Sequence, residues 1–200
     1  MKTVKVIVLP YDETWKSAFE HIKTELENAI GDLILSVEHV GSTSVEGMSA
    51  KPCIDIDVVI KDYTAFDAVV AKLASIGYTH EGDLGIKDRE AFKYSDKPHL
   101  MKHHLYVCPQ NSKELQRHLT FRDFLRSNRE AAGKYSAVKE NAAKLFPDDM
   151  DGYIAYKSPC IEDLYKRCGL KNDEAYLACA GASPDVGSVE MADTQTIFRG

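Results

Sequence analysis

The chain has no surplus of positive charge: 25 lysines and arginines stand against 31 acids, a net charge of −6 over 200 residues. Broad electrostatic adhesion to nucleic acid or to an anionic membrane is therefore not expected, although a local basic cleft can form on an acidic protein. No apolar run approaches the roughly 20 residues that cross a bilayer. The opening MKTVKVIVLPYDETW is too short in its apolar part for a secretory signal and lacks a small-residue cleavage site. A cytoplasmic protein is the expectation. The five cysteines, Cys53, Cys108, Cys160, Cys168 and Cys179, are an odd set without a CxxC pair. Neither a disulfide framework nor a zinc knuckle is indicated, and the thiols are expected to be reduced and used in packing. No internal repeat is visible. No G-x-S-x-G elbow accompanies His39 and the serines after it, which argues against a serine nucleophile.

What is present is the composition of a soluble globular protein, 44% hydrophobic and 28% charged, long enough to bury one substantial core. Val4 to Leu9 alternate weakly before Pro10. Trp15, Phe19, Ile22, Leu26 and Ile30 then recur at helical spacing, with Asp12 placed to cap the helix and Gly31 to stop it. Leu33 to Val40 reads as a strand broken by Gly41, and Ser42 to Met48 as one short helical turn. Pro52 opens CIDIDVVI, in which Ile54, Ile56 and Val58 face one way and Asp55 and Asp57 the other.

Phe66, Val69, Val70, Leu73 and Ile76 share a helical face that Gly77 closes. REAFKYS and KHHLYVC read as two antiparallel strands around a polar turn near Asp96 to Pro98. From Pro109 to Cys168 the spacing is helical almost throughout, interrupted at Pro147. The expected organisation is an α/β (α+β) sheet core over residues 1–108 and a helical subdomain packed on it over 109–170. An acidic, flexible tail is expected over 171–200.

The segment HVGSTSVEGMSAKPCIDIDVVI, His39 to Ile60, carries the chemistry. Asp55 and Asp57 are one residue apart in a strand, so both carboxylates project from one face, where like charges repel unless a cation intervenes. Magnesium, or manganese, takes such oxygens together with water or substrate phosphate. Gly41 and Ser42 lie upstream at a turn that can present backbone N–H groups and a hydroxyl to phosphate, and Lys51 adds a point charge. Each piece alone is weak, since a turn, a solvated strand face and a surface lysine would explain them singly. Their order and spacing make a triphosphate-and-metal cradle the stronger reading.

The same stretch resembles the nucleotidyltransferase-superfamily signature, a Gly-Ser turn followed by a strand bearing D-x-D. More closely it is similar to the GrpB family (UPF0157), as are REAFKY, HHLYV, LTFRDFLRSN and YIAYKSPCI. The resemblance spans roughly Val4 to Cys168. It implies a mixed-sheet core of the polymerase-β type, with phosphates held at Gly41 and Ser42 and magnesium at Asp55 and Asp57. It further implies transfer of a nucleotidyl group from a nucleoside triphosphate to an acceptor. A third strand carboxylate, expected from the superfamily, is replaced here by HHLYV, with His103 or His104. Tyr106 stands where the family often carries a further histidine.

His104 and Tyr106 face one way along their strand, His103 the other. If that face holds the two aspartates, His104 approaches the metal, as a ligand when neutral or a phosphate contact when protonated. Arg89 and Lys93 on the preceding strand, and Lys157 paired at i,i+4 with Tyr153, are further candidates to neutralise phosphate charge. Arg117 with Arg122, or Arg126 with Arg129, could approach from the helical subdomain, but arginines on amphipathic helices are usually solvated and that is the expectation. The preferred function is a magnesium-dependent nucleotidyltransferase-like protein acting on a nucleoside triphosphate and a small-molecule acceptor. The competing classes are a non-catalytic module for nucleotides or phosphorylated metabolites and a metal-dependent phosphohydrolase using His104.

Overall fold

A computed structural model describes residues 5–170. The expected tail, and Cys179 within it, lie outside the described residues. The helix expected from Trp15 to Ile30 forms as α1, Thr14–Ile30, and the residues at its apolar spacing, Trp15, Phe19, Ile22, Leu26 and Ile30, are all buried. Asp12 accepts from the Thr14 backbone N–H at 2.8 Å, which satisfies one of the orphan donors of the first turn. Gly31 is the C-cap at which the α-helix ends, as expected. It keeps right-handed dihedrals, and the chain runs on through a single 3-10 turn, Gly31–Leu33, before β1, Ser36–Val40.

β2, Ile54–Ile60, follows a second 3-10 turn at Ser42–Ser44. Then come α2, Phe66–Ser75, and β3, Tyr78–Gly82, a strand that the sequence did not announce. In YTHEG only Tyr78 is buried, so no apolar alternation marks it. β4, Glu90–Tyr94, and β5, His103–Pro109, pair antiparallel as expected. Three helices complete the chain: α3, Lys113–Ser127, α4, Arg129–Leu145, and α5, Met150–Arg167. Among the described residues no helix is long and apolar enough to cross a membrane.

The five strands form one mixed sheet in the order β1-β2-β5-β4-β3. β2 and β5 are its centre and run parallel, which requires a crossover, here supplied by α2, β3 and β4. Ile54, Ile56 and Val58 of β2 and Leu105 and Val107 of β5 pack with the apolar faces of α1 and α2 in the principal core. Each such side chain, fully withdrawn from water, contributes roughly 2 kcal/mol. Because strand side chains alternate, burying that set forces Asp55, Asp57, His104 and Tyr106 onto the opposite face.

That face meets α3, α4 and α5. Val45 and Met48, just past the Ser42 turn, sit in a second core with Leu125, Tyr135, Ile161 and Leu164 and so anchor the helices to the sheet. The segment before Pro10 does not join the sheet. Val6 donates its N–H to the carbonyl of Pro147 at 2.8 Å, and Leu9 makes only an isolated bridge with Ala50.

Candidate functional site

Between the polar face of the sheet and the three C-terminal helices lies a cleft of about 570 Å³. Lys5, Lys51 and Lys102 line it, as does Arg89 from the turn before β4. The helices add Arg117, Arg122, Lys139 and Lys157, and among the described residues Asp55 is the one acid in the lining. A chain that is acidic as a whole therefore concentrates eight basic side chains around one cavity.

Asp55 stands at the centre of the sheet side, paired in register with Val40 on β1 and with His104 on β5. Its carboxylate accepts from His104 Nδ1 at 2.8 Å and keeps about a third of its side-chain surface open, 34%. Burial opposes its charge, but the His104 hydrogen bond and the charges of His104 and His118 hold it below the usual carboxylate range. His104 shows the reciprocal shift. Burial alone would push it down, and its bonds to Asp55 and Cys53 raise it instead. Cys53 Sγ lies 3.7 Å from His104 Nδ1 and 3.8 Å from Nε2. The ligand atoms of Cys53, Asp55 and His104 all fall within 4.8 Å of one another.

Gly41 lies against this cluster for two physical reasons. Its φ of +67° belongs to glycine, and a Cβ added there would run into the Asp55 carboxylate. Ser42 lines the cleft beside it. Thr43 also borders the cleft but is buried, 3.0 Å from His39 Nε2, and it donates to the carbonyl of Cys53. The turn is braced from α3, where Arg122 donates to Glu38 and to the His39 carbonyl and Arg126 donates twice to the Ser44 carbonyl.

Asp57 shares the face of Asp55 but not the cleft. Its side chain has no solvent exposure, and His118 of α3 donates to it from Nδ1 at 2.6 Å. The other nitrogen of His118 lies 3.2 Å from Glu114, whose own partner along the helix is Arg117. A buried carboxylate is thus met by an imidazole and a second acid behind it. This departs from the open two-carboxylate magnesium platform expected from D-x-D. Magnesium takes oxygen ligands, whereas the donors that open together on the cleft are a thiol, an imidazole and one carboxylate. That set suits a borderline divalent ion better.

The basic wall is partly unpaired. Lys139 is 3% exposed, its Nζ has no hydrogen-bond partner, and it sits 4.6 Å from the centre of the Tyr135 ring. Burial, then the charge of Lys157, pushes it down to about 7. Lys157 lies 4.9 Å over Tyr153, confirming that this pair shares a helix face, and burial and Lys51 push it down to about 8. The Arg89 guanidinium stacks 4.4 Å over Tyr106. Lys93 does not line the cleft. It is exposed and paired with Glu81 of β3, the strand at the sheet's edge. Arg117 and Arg122, expected to be solvated, are instead withdrawn from water, with side chains 9% and 12% exposed.

His103 points away, as its alternation requires, and is bonded to the Tyr78 hydroxyl at 2.7 Å and the Met101 carbonyl at 2.8 Å. Sequence reasoning missed Cys53, His118 and Lys139. Cys53 precedes Asp55 by two and so shares its side, a signal that was readable. His118 and Lys139 carry no such mark, because their roles depend on how helices dock on the sheet.

Comparison with known proteins bears on this cleft. The sequence profile of the family described as GrpB protein matches residues 5–167. UPF0157 protein YqkA of Bacillus subtilis is 31% identical over 186 residues, 90% of this chain and 54% of the relative, so the chain spans about half of that protein's length. Glutamate-rich protein GrpB of Alkalihalophilus pseudofirmus is 32% identical over 165 residues, covering 80% of this chain and 94% of the relative. Among solved structures, the conserved protein GrpB from Enterococcus faecalis superimposes with a TM-score of 0.68 at 32% identity, covering 80% of this chain and 98% of that one. A GLD-2/RNP-8 complex matches with a TM-score of 0.53 at 13% identity, over 96% of this chain and 74% of that one. The fold is accordingly that of the nucleotidyltransferases of polymerase-β type.

Proposed function

The chain belongs to the GrpB family, and from that premise we propose that it binds a nucleoside triphosphate in the cleft and transfers a nucleotidyl group to a small-molecule acceptor. The observation that carries this reading is the charge of the lining, eight basic side chains and one acid among the described residues, in a protein of net charge −6. Lysines held in low exposure without anionic partners are unfavourable by themselves, and a polyphosphate supplies the missing charge. In the transfer the acceptor oxygen attacks the α-phosphorus and gives up its proton to solvent water, and the bond to the departing pyrophosphate breaks. Arg89, Lys51, Lys139 and Lys157 face the charge that moves onto that leaving group. Ser42 and Gly41 allow phosphate oxygens to approach the backbone beside Asp55. Asp55, with Cys53 and His104, would hold a divalent ion, which polarises a phosphoryl oxygen when bound.

A binding module without turnover is the second reading. The engagement of Asp57 by His118 favours it, since one carboxylate rather than two opens on the cleft. The two are separated by incubating the protein with each nucleoside triphosphate, divalent ions and a panel of hydroxyl and amine acceptors, with assays for pyrophosphate and for thermal stabilisation. Transfer requires pyrophosphate release that Asp55→Ala abolishes. Stabilisation by triphosphate without product in any combination selects the binding module, and no stabilisation at all defeats both.

A further inference from the structure

Cys53 and Asp55 stand two residues apart on the same side of the chain entering β2, and His104 is the register partner of Asp55 on β5. We infer that Cys53, Asp55 and His104 form a site for a borderline divalent cation of the zinc type, with a fourth position open on the cleft. All three line the cavity. Zinc accepts thiolate, imidazole and carboxylate together, whereas magnesium selects oxygen. Tetrahedral bonds of about 2.3 Å to sulfur and 2.0 Å to nitrogen put those two atoms about 3.5 Å apart. Cys53 Sγ and His104 Nδ1 are 3.7 Å apart here.

The surroundings support the same assignment. The hydrogen between His104 Nδ1 and Asp55 Oδ1, across 2.8 Å, occupies the place an ion would take, and binding would displace it. Thr43 donates to the carbonyl of Cys53 and is itself tied to His39, which holds the main chain that carries the thiol. Gly41 brings its backbone against the Asp55 carboxylate without a Cβ in the way. Asp57 is no ligand in this arrangement, because His118 holds it under α3. Three protein donors with one open coordination position are what a reactive zinc centre requires, and among the described residues no fourth donor joins the group to close it.

The inference deepens the nucleotide-binding reading by naming the ion that the phosphates would meet, yet it is testable without nucleotide. Protein stripped by chelation is titrated with zinc chloride and, separately, with cobalt chloride. One equivalent of zinc should survive desalting. Bound cobalt should show the intense visible bands of tetrahedral coordination together with a near-ultraviolet thiolate charge-transfer band. Cys53→Ser should remove that thiolate band, and Cys53→Ser and His104→Gln should each weaken zinc binding roughly tenfold or more. Cys168→Ser, a thiol at the end of α5, should leave the band intact, and a large excess of magnesium should not displace the zinc. Far-ultraviolet dichroism of each variant verifies its fold. A cobalt spectrum of octahedral type, a thiolate band that persists in folded Cys53→Ser, or displacement of zinc by magnesium would each overturn the assignment. Triphosphate stabilisation measured in magnesium alone reports on the nucleotide reading separately.

Discussion

His118 Nδ1 lies 2.6 Å from the Asp57 carboxylate, across 61 positions of sequence and across the contact between α3 and the sheet. This bond explains how two acids can occupy one strand face without a shared ion. Asp57 is paired with His118 and Asp55 with His104, so each negative charge has its own imidazole. It also ties the helical layer to the floor of the cleft.

Removing one member of that pair should be severe. His118→Ala leaves Asp57 fully buried without its donor, and the loss expected for breaking a buried charged pair is about 3 kcal/mol. Urea unfolding of His118→Ala, Asp57→Asn and the double variant measures it. The double variant should recover part of the loss of His118→Ala, because the uncompensated charge is gone. If His118→Ala unfolds within about 0.5 kcal/mol of the parent, the range of ordinary surface changes, the pair does not have this role.

Gly41→Ala should damage the site more than the fold. At φ +67° and ψ −173° the backbone lies in a region essentially confined to glycine, where another residue costs roughly 1–3 kcal/mol, and the added Cβ also meets Asp55. Melting should drop by a few degrees while stabilisation by triphosphate or by zinc falls much further. Equal losses in both would assign the glycine to folding alone.

Lys139→Met should act in opposite directions on stability and binding. The buried amine has no hydrogen-bond partner, so a methionine of similar length should raise unliganded stability by about 1 kcal/mol. The added stabilisation by triphosphate should shrink in the same variant. Paired thermal melts with and without nucleotide decide it, and a variant that is both less stable and normal in nucleotide response contradicts the argument.

Acid should destabilise the fold through two histidines. Burial pushes His39 and His103 down to about 4, against an ordinary value of 6.5. Between those values the unfolded chain binds protons that the folded chain refuses, so their contribution is complete above pH 6.5 and is lost as pH falls toward 4. Each can contribute roughly 3 kcal/mol by linkage. Unfolding free energies measured from pH 7 to 4 should fall, and His103→Gln should flatten the slope in that window. An unchanged slope would falsify the role of His103.

Much of the site was legible because strand geometry is local. The alternation of Ile54, Asp55, Ile56, Asp57 and Val58 puts the acids on one face and the apolar residues in the core whatever else the chain does. The same rule separates His103 from His104, and 3.6-residue spacing marks α1. β3 escaped because its sequence has almost no apolar pattern. Arg117 and Arg122 of α3 were misjudged because helical periodicity does not reveal which polar stripe another layer will cover.

The sequence by itself determined the sheet's central strands, the face its acids share and the family to which the chain belongs, since all of these follow from short-range periodicity and local motif. Only the tertiary structure decided which acid opens on the cleft, that Cys53 joins Asp55 and His104, and that the α3 to α5 layer turns Arg117, Arg122, Lys139 and Lys157 inward. Those outcomes depend on the docking of helices onto the sheet through Val45, Met48 and Leu125. Docking is set by packing between residues far apart in the chain, and a side chain's solvent access and charge partners follow from it.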